Sequence, residues 1–99
     1  MSRKLRNLSP AREELAAAII WYEEQRLGLG ADFYDAVTQA TALVAAQPDI
    51  GTFDPDTDTR RVPVKRFPYQ VVYYTSDEEI VIVAIVHSKR RPGYWKNRV

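Results

Sequence analysis

The fold of this chain is decided by the stretch IVIVAIV, residues 80–86, in which every residue except Ala84 is β-branched. Val and Ile favour strands. Because apolar side chains occupy both faces of this predicted strand, it should lie inside a sheet, covered by helices on one side and at least partly on the other. Each fully buried side chain of this type contributes roughly 1.5–3 kcal/mol, so this strand is expected to anchor the fold.

Two further strands are predicted before this run. Residues 69–75 alternate, with Tyr, Val, Tyr and Thr on one face and Gln, Val and Tyr on the other, as expected for a strand. Residues 60–67 are also predicted as a strand, but Pro63 restricts it to an edge or a bulged position. Residues 49–59 are predicted as a polar loop and residues 76–79 as a short turn.

Two amphipathic helices are predicted in the first half of the chain. Ser9 is the expected N-cap of the first helix, and Pro10 occupies the first helical position, where its missing N–H group costs nothing. The glycines of residues 28–30 are expected to end this helix. Asp32 is the expected cap of the second helix, which Pro48 stops.

Each predicted helix carries one apolar stripe, formed by Ala11, Leu15, Ala18, Ile19 and Tyr22 in the first helix and by Phe33, Val37, Ala40 and Val44 in the second. The residues off the first stripe that are expected to face water are Glu13, Glu14, Glu23 and Glu24. With residues 3–8 as a short N-terminal strand, the order is β-α-α-β-β-β. This order indicates an α+β fold, in which a helical hairpin packs on one face of a small, mostly antiparallel sheet. The length of 99 residues fits a single domain, residues 1–99.

The composition excludes several classes of site. The chain has no Cys and a single His, so a disulfide framework, a thiolate metal site and a cysteine nucleophile are impossible, and no metal or cofactor is expected. The N-terminal residues lack the apolar region of a secretory signal. The longest apolar run, residues 80–86, is far shorter than the roughly 20 residues that span a bilayer. We therefore expect a soluble, cytoplasmic protein without a membrane partner.

Charge is distributed unevenly along the chain. Residues 1–59 contain five Lys and Arg against ten Asp and Glu, whereas residues 60–99 contain nine against three. The cations of the second half form two clusters, Arg60, Arg61, Lys65 and Arg66 in the first and Lys89, Arg90, Arg91, Lys96 and Arg98 in the second, which also holds Tyr94 and Trp95. Cations that neutralise phosphate and rings that stack on bases predict a single-stranded or splayed nucleic acid as ligand. The alternatives are solvated edge cations that discourage aggregation and aromatic residues that pack the tail onto the domain.

Some side chains have a chemistry of their own. His87 is a candidate general acid or base, because histidine is the residue type most often used for proton transfer near neutral pH. Cleavage of RNA through its 2′-hydroxyl would also require a cation at the phosphate, for which Arg90 or Arg91 is a candidate, and a second acid, for which Tyr94 is a candidate. The alternative for His87 is a structural role at a strand end. Trp21 and Tyr34 are candidate exposed aromatic residues on the helices, of the kind that docks a protein partner, unless they widen the core stripes.

A series of motifs runs through the chain, namely Ser9-Pro10, Trp21–Arg26, Gly28-Leu29-Gly30 with Phe33, Arg61, Arg66–Tyr69, Val72–Tyr74, Val83–His87, and Arg91-Pro92 with Trp95. In order and spacing this series resembles the RelE/ParE superfamily, the toxins of type II toxin–antitoxin systems. The resemblance covers nearly the whole chain. The ending from His87 to Pro92 is more similar to the ParE-like members, the plasmid stabilisation family.

The resemblance implies a toxin that inhibits growth and is neutralised by a cognate antitoxin. The complex of the two would repress its own operon, so operator DNA is expected as a ligand only through the antitoxin complex. ParE-like members inhibit DNA gyrase and are not hydrolases, and this is the function that we predict. The alternative is a RelE-like toxin that cuts mRNA on the ribosome, and the alternative from another class is a nontoxic basic RNA-binding module.

These alternatives assign different roles to the same residues. A RelE-like endoribonuclease would use His87, Arg91 and Tyr94 as catalytic residues. The residues expected to bind the target or a nucleic acid are Arg60, Arg61, Lys65, Arg66, Lys89, Arg90, Arg91 and Trp95. Trp21 and Tyr34 are expected to contact the antitoxin.

Overall fold

The computed structural model describes residues 3–99, in which two helices pack on a five-stranded sheet. In chain order the elements are β1 (Lys4–Asn7), α1 (Ser9–Gln25), α2 (Leu29–Ala46), β2 (Thr52–Asp54), β3 (Thr59–Pro63), β4 (Tyr69–Thr75) and β5 (Glu79–His87), followed by a short 3₁₀ turn (Lys96–Arg98). The sheet order is β1-β5-β4-β3-β2, with β1 parallel to β5 and the other pairs antiparallel. The predicted α+β fold is confirmed. Within residues 3–99, neither helix has the length and hydropathy needed to cross a membrane.

The two helices cover one face of the sheet and enclose the main core. Both predicted stripes face it, since Phe33 and Val44 of α2 are fully buried and Tyr22 of α1 is 9% exposed. The rings of Tyr22 and Phe33 lie 5.0 Å apart. Every residue from Ile80 to Ile85 is buried, so β5 anchors the fold as predicted.

The C-terminal tail covers part of the opposite face of the sheet. Trp95 is 6% exposed and belongs to a second, smaller core together with Val72, Val83 and Ala84. This packing explains why β5 is apolar on both faces, because the helices bury one face and the tail shields the other.

The sheet has one more strand than predicted. β2 lies within residues 49–59, which were predicted as a loop, and pairs with β3 so that Thr52 is the partner of Arg61. β3 ends at Pro63 instead of reaching Phe67. The chain reverses there because Arg66 adopts the left-handed conformation, with φ 74°, and the N–H of Val64 donates to the carbonyl oxygen of Tyr69.

The start of α1 differs from the prediction. The helix begins at Ser9, its N-cap is Leu8, and no side chain caps it. The hydroxyl of Ser9 instead accepts a hydrogen bond of 2.9 Å from the guanidinium of Arg12, which also donates to the carbonyl oxygen of Asn7. The predicted cap role of Ser9 is therefore wrong.

The start of α2 also differs from the prediction. The helix begins at Leu29, three residues before Asp32, because Gly28 takes the left-handed conformation with φ 90°. The carboxylate of Glu23 accepts hydrogen bonds from the N–H groups of Gly28 and Gly30 at 3.0–3.1 Å. Glu23 thus performs the capping predicted for Asp32, and its side chain is half-buried instead of fully solvated.

Candidate functional site

A groove lies on the sheet face that α1 and α2 leave uncovered. It has a volume of about 380 Å³ and runs between β2 and β3 on one side and the segment after β5 on the other. The lining residues are Thr52, Asp54, Thr59, Arg60, Arg61, Gln70, Val72, Val86, His87, Ser88, Arg90, Pro92, Gly93, Trp95 and Lys96. The register of the sheet produces this arrangement, because Arg61 lies opposite Val72 and Gln70 opposite Val86, and cross-strand partners share one face.

Three exposed cations line the groove without a partner carboxylate. They are Arg61, Arg90 and Lys96, and no carboxylate of residues 3–99 lies within ion-pair distance of them. Asp54, which also lines the groove, accepts a hydrogen bond from the N–H of Asp56 at 3.0 Å. Unpaired cations in a concave surface concentrate positive potential, so the groove is suited to an anionic ligand. The described residues include no group of three His, Asp or Glu that could hold a metal ion.

Two sets of hydrogen bonds hold the segment that leads into β2. Tyr73 donates its O–H to the carbonyl oxygen of Pro48 at 2.8 Å and accepts from the N–H of Gly51 at 3.0 Å. Arg60 donates to the carbonyl oxygens of Asp49 and Gly51 at 3.2 and 3.0 Å. Although Arg60 lines the groove, its guanidinium is therefore committed to the protein's own backbone.

The structure divides the first predicted basic cluster. Arg61 faces the groove, whereas Lys65 and Arg66 lie beside α2, in a hollow that Asp32 also lines. A guanidinium nitrogen of Arg66 is 3.8 Å from a carboxylate oxygen of Asp32. Both cations belong to the turn between β3 and β4, in which Arg66 has a left-handed conformation. Lys65 and Arg66 thus do not share a surface with Arg61 and Arg90.

The second predicted basic cluster is divided as well. Arg90 and Lys96 line the groove, whereas Lys89 and Arg91 are exposed outside its lining. Trp95 is buried in the second core, so its ring is not open to stacking on a base. The structure therefore supports the alternative given above for Trp95, in which it packs the tail onto the domain.

His87 lies at the end of β5 with its ring against Tyr69. The two rings meet edge to face with centroids 4.9 Å apart. Nδ1 of His87 accepts a hydrogen bond of 3.0 Å from the N–H of Lys89. One ring nitrogen is therefore used in a local turn, and the ring packs beside the main core.

Tyr94 lies in a hollow beside α1 that His87 and Arg90 also line, whereas Arg91 is outside this lining. Its O–H donates to the carboxylate of Glu14 at 2.5 Å. Burial first, and then the hydrogen bond to Glu14, raise the pKa of Tyr94 above its usual value. The phenol therefore holds its proton more tightly than a free tyrosine does.

Glu14 of α1 contacts Tyr94, and its predicted environment is wrong. It was predicted to face water, but its side chain is only 17% exposed. Its carboxylate accepts hydrogen bonds from Tyr94 Oη, Arg98 Nη1 and Nη2, and the N–H of Ile85. A signal was present, because Glu14 follows Ala11 by three residues and precedes Ala18 by four, and both alanines are buried. Residues at these spacings share one side of a helix.

The two aromatic residues predicted to contact a partner are both exposed. Trp21 is 55% exposed and lines the hollow beside α1. Tyr34 is 51% exposed and lines a separate, largely apolar groove of about 420 Å³ that Leu5 of β1 and Leu15 of α1 also line. Their exposure counts against the alternative in which they widen the core stripes.

A family model matches most of the chain that builds these surfaces. The model describes the ParE toxin of the type II toxin–antitoxin system parDE, and it matches residues 7–92. The chain belongs to the ParE toxin family. This membership confirms the resemblance to the RelE/ParE superfamily and, because the family is defined by toxin–antitoxin systems, it implies an antitoxin as partner. Tyr94 and Arg98 lie beyond the matched residues.

A solved structure has a fold similar to that of this chain. A chain of the chromosomal ParDE toxin–antitoxin system from P. aeruginosa aligns with a TM-score of 0.77 and 14% identity, covering 89% of this chain and 98% of that chain. At this identity the likeness shows the fold alone. A search of curated protein sequences found no match.

Proposed function

We propose that this ParE-family toxin inhibits growth by binding DNA gyrase through the groove. The observation that carries the proposal is the set of three exposed, unpaired cations, Arg61, Arg90 and Lys96, on one concave surface. Such a surface complements an acidic protein surface or the phosphates of gyrase-bound DNA. Family membership supports the toxin role. A toxin with this target acts in the cytoplasm.

Several contacts favour binding over RNA cleavage. Tyr94 gives its proton to a hydrogen bond with Glu14, and Nδ1 of His87 is engaged by the backbone N–H of Lys89. Of the two candidate cations for the phosphate, Arg91 lies outside the hollow that His87 and Tyr94 share, and Arg90 is held against the Tyr94 ring. A general acid and a general base must both reach the reacting atoms, and of His87 and Tyr94 only His87 lines the groove.

The antitoxin is proposed to contact Trp21 and Tyr34. Both side chains expose about half of their surface, and large exposed aromatic residues are typical anchors of protein interfaces. Ile20 and Leu27 add exposed apolar surface to the same helical hairpin, at 60 and 88% exposure. Contact with operator DNA is proposed only for the complex with the antitoxin.

The test is inducible expression of the chain in a bacterial host, without an antitoxin. We expect growth arrest, induction of a DNA-damage reporter and intact mRNA. Purified protein should inhibit DNA gyrase in a supercoiling assay. The paired substitution Arg61→Ala with Arg90→Ala should weaken this inhibition about tenfold or more, since one lost charged contact costs about 1.5–3 kcal/mol.

A matched control is Lys65→Ala, which removes an exposed cation of the same half of the chain outside the groove. It should inhibit gyrase as strongly as the unsubstituted protein. Cleaved mRNA without a DNA-damage response would indicate that the target is the ribosome instead of gyrase. Normal growth at full expression would refute the toxin and favour a nontoxic RNA-binding module, whose RNA affinity would fall steeply with salt.

A further inference from the structure

Where the neighbouring strand β1 ends, side chains form the hydrogen bonds with the backbone at the edge of β5. β1 pairs with β5 only as far as Ile82, after which the chain enters α1. Beyond that point the N–H of Ile85 donates to Glu14 at 3.1 Å, and Arg98 donates to the carbonyl oxygen of Val83 at 3.1 Å. A carboxylate from α1 and a guanidinium from the tail thus replace a strand at this edge.

The same carboxylate fastens the tail to α1. Glu14 accepts two hydrogen bonds from Arg98, at 3.0 and 3.1 Å, and one from Tyr94. The side chains of Glu14 and Arg98 are both 17% exposed. Charged hydrogen bonds shielded from water are stronger than those at the surface. This group of three side chains, called the tail clamp below, is therefore a firm attachment.

The tail clamp supports one cation of the groove. The guanidinium of Arg90 lies 3.9 Å from the centroid of the Tyr94 ring, a distance at which a cation is attracted to an aromatic face. Arg90 lines both the groove and the hollow in which Tyr94 lies. The position of this exposed side chain therefore depends on a ring that Glu14 holds in place.

We propose that Glu14 is a positioning residue for the groove, because it fixes Tyr94 and thereby the guanidinium of Arg90. This inference rests on the proposed function of the groove. Without the carboxylate, Tyr94 and Arg98 lose their common acceptor and the ring is free to move. Arg90 would then sample several rotamers and lose conformational entropy on binding. The expected effect is about three- to tenfold weaker binding of gyrase.

The first measurement is independent of any target. In proton–nitrogen spectra of the full chain, the Nε–H signal of Arg90 should be shifted upfield by the ring current of Tyr94. Glu14→Gln should abolish this upfield shift, and Tyr94→Phe, which keeps the ring but removes its hydrogen bond, should reduce it. Glu13→Gln, a substitution of the exposed neighbour, should leave it unchanged. An unchanged Arg90 signal in Glu14→Gln would overturn the proposal.

The second measurement is binding to purified DNA gyrase. Glu14→Gln should bind about three- to tenfold more weakly than the unsubstituted protein. Arg90→Ala should bind at least as weakly as Glu14→Gln, and the double variant should bind no more weakly than Arg90→Ala, because both substitutions act on one interaction. A merely structural role of Glu14 predicts additive losses, which would refute the positioning role. If Arg90→Ala binds gyrase normally, the proposed function of the groove fails, and the spectral shift alone decides whether Glu14 positions Arg90.

Discussion

Removing the hydroxyl of Tyr73 should destabilise the protein more than the loss of a single oxygen atom would suggest. Tyr73 is fully buried in β4, and its hydroxyl joins the segment after α2 to the sheet. It donates to the carbonyl oxygen of Pro48 and accepts from the N–H of Gly51. The space there is tight, since a Cβ on Gly51 would lie 2.8 Å from this hydroxyl. Tyr73→Phe therefore deletes both hydrogen bonds and leaves the buried N–H of Gly51 without its partner.

The magnitude follows from the groups that are left behind. Gly51 is buried, and a buried N–H group without a partner costs about 1–3 kcal/mol. The carbonyl of Pro48 is half-buried and can reach water, so it adds less. We expect a loss of about 2 kcal/mol in the free energy of unfolding, which corresponds to a fall in Tm of about 8–16 °C for a domain of this size.

Urea and thermal unfolding of Tyr73→Phe measure this loss directly. The control is Tyr34→Phe, which removes the same atom from an exposed ring and should change the stability by less than about 0.5 kcal/mol. The urea m-value should stay constant in both variants. Equal stabilities of Tyr73→Phe and Tyr34→Phe would refute the reasoning, because they would mean that the two buried hydrogen bonds contribute nothing net.

Three other predictions concern capping, close packing and pH. Glu23→Ala should lower the free energy of unfolding by about 1 kcal/mol, measured by chemical denaturation, because it removes the cap of α2. Glu24→Ala, a substitution of an exposed neighbour, should leave the stability unchanged. Equal losses in the two variants would contradict the capping role. Gly30→Ala should cost about 1–3 kcal/mol, since a Cβ there would lie 2.7 Å from the carbonyl oxygen of Ile19; normal stability would show that α1 and α2 separate easily. Burial raises the pKa of Tyr69 and Tyr94 above the usual value for tyrosine, so the stability that they contribute is complete below about pH 10 and is lost at higher pH. Unfolding curves from pH 8 to 11 test this, and a stability that stays flat above pH 10 would count against it.

Periodicity predicted the elements whose residues contact the core at regular intervals. The stripe of α2 and the alternation of β4 are local patterns. The stripe of α2 is buried, and the alternation of β4 places Val71 and Tyr73 in the main core and Val72 in the second core. The boundaries depend on contacts that no local pattern contains. Asp32 has the residue type of a helix cap. The free N–H groups at the start of α2 nevertheless donate to Glu23, which lies seven residues before Gly30. β2 has only three residues, too few for an alternating pattern to be recognised.

The excess of cations in the candidate site was predictable from the sequence, but which of these cations share one surface was not. The excess of cations after residue 60 does contribute Arg61 and Arg90 to one groove. In the turn after β3, Arg66 takes a left-handed conformation, which is uncommon for a residue other than Gly. Lys65 and Arg66 of this turn lie beside α2 instead of in the groove, and no sequence signal indicates this position. Glu14 is recognised only once the tail has folded back, because its partners lie more than 70 positions away in the chain.

The tail explains how a small domain combines a core with a charged groove. Trp95 fills the second core. Of its two neighbours in the chain, Tyr94 contacts Arg90 and Lys96 lines the groove. Loosening Trp95 would therefore disturb the groove without removing any of its charges. A loss of toxicity on substituting Trp95 is thus no evidence that its ring contacts the target. Contacts with the target are better sought at Arg61 and Arg90, because both are exposed and their truncation leaves the core intact.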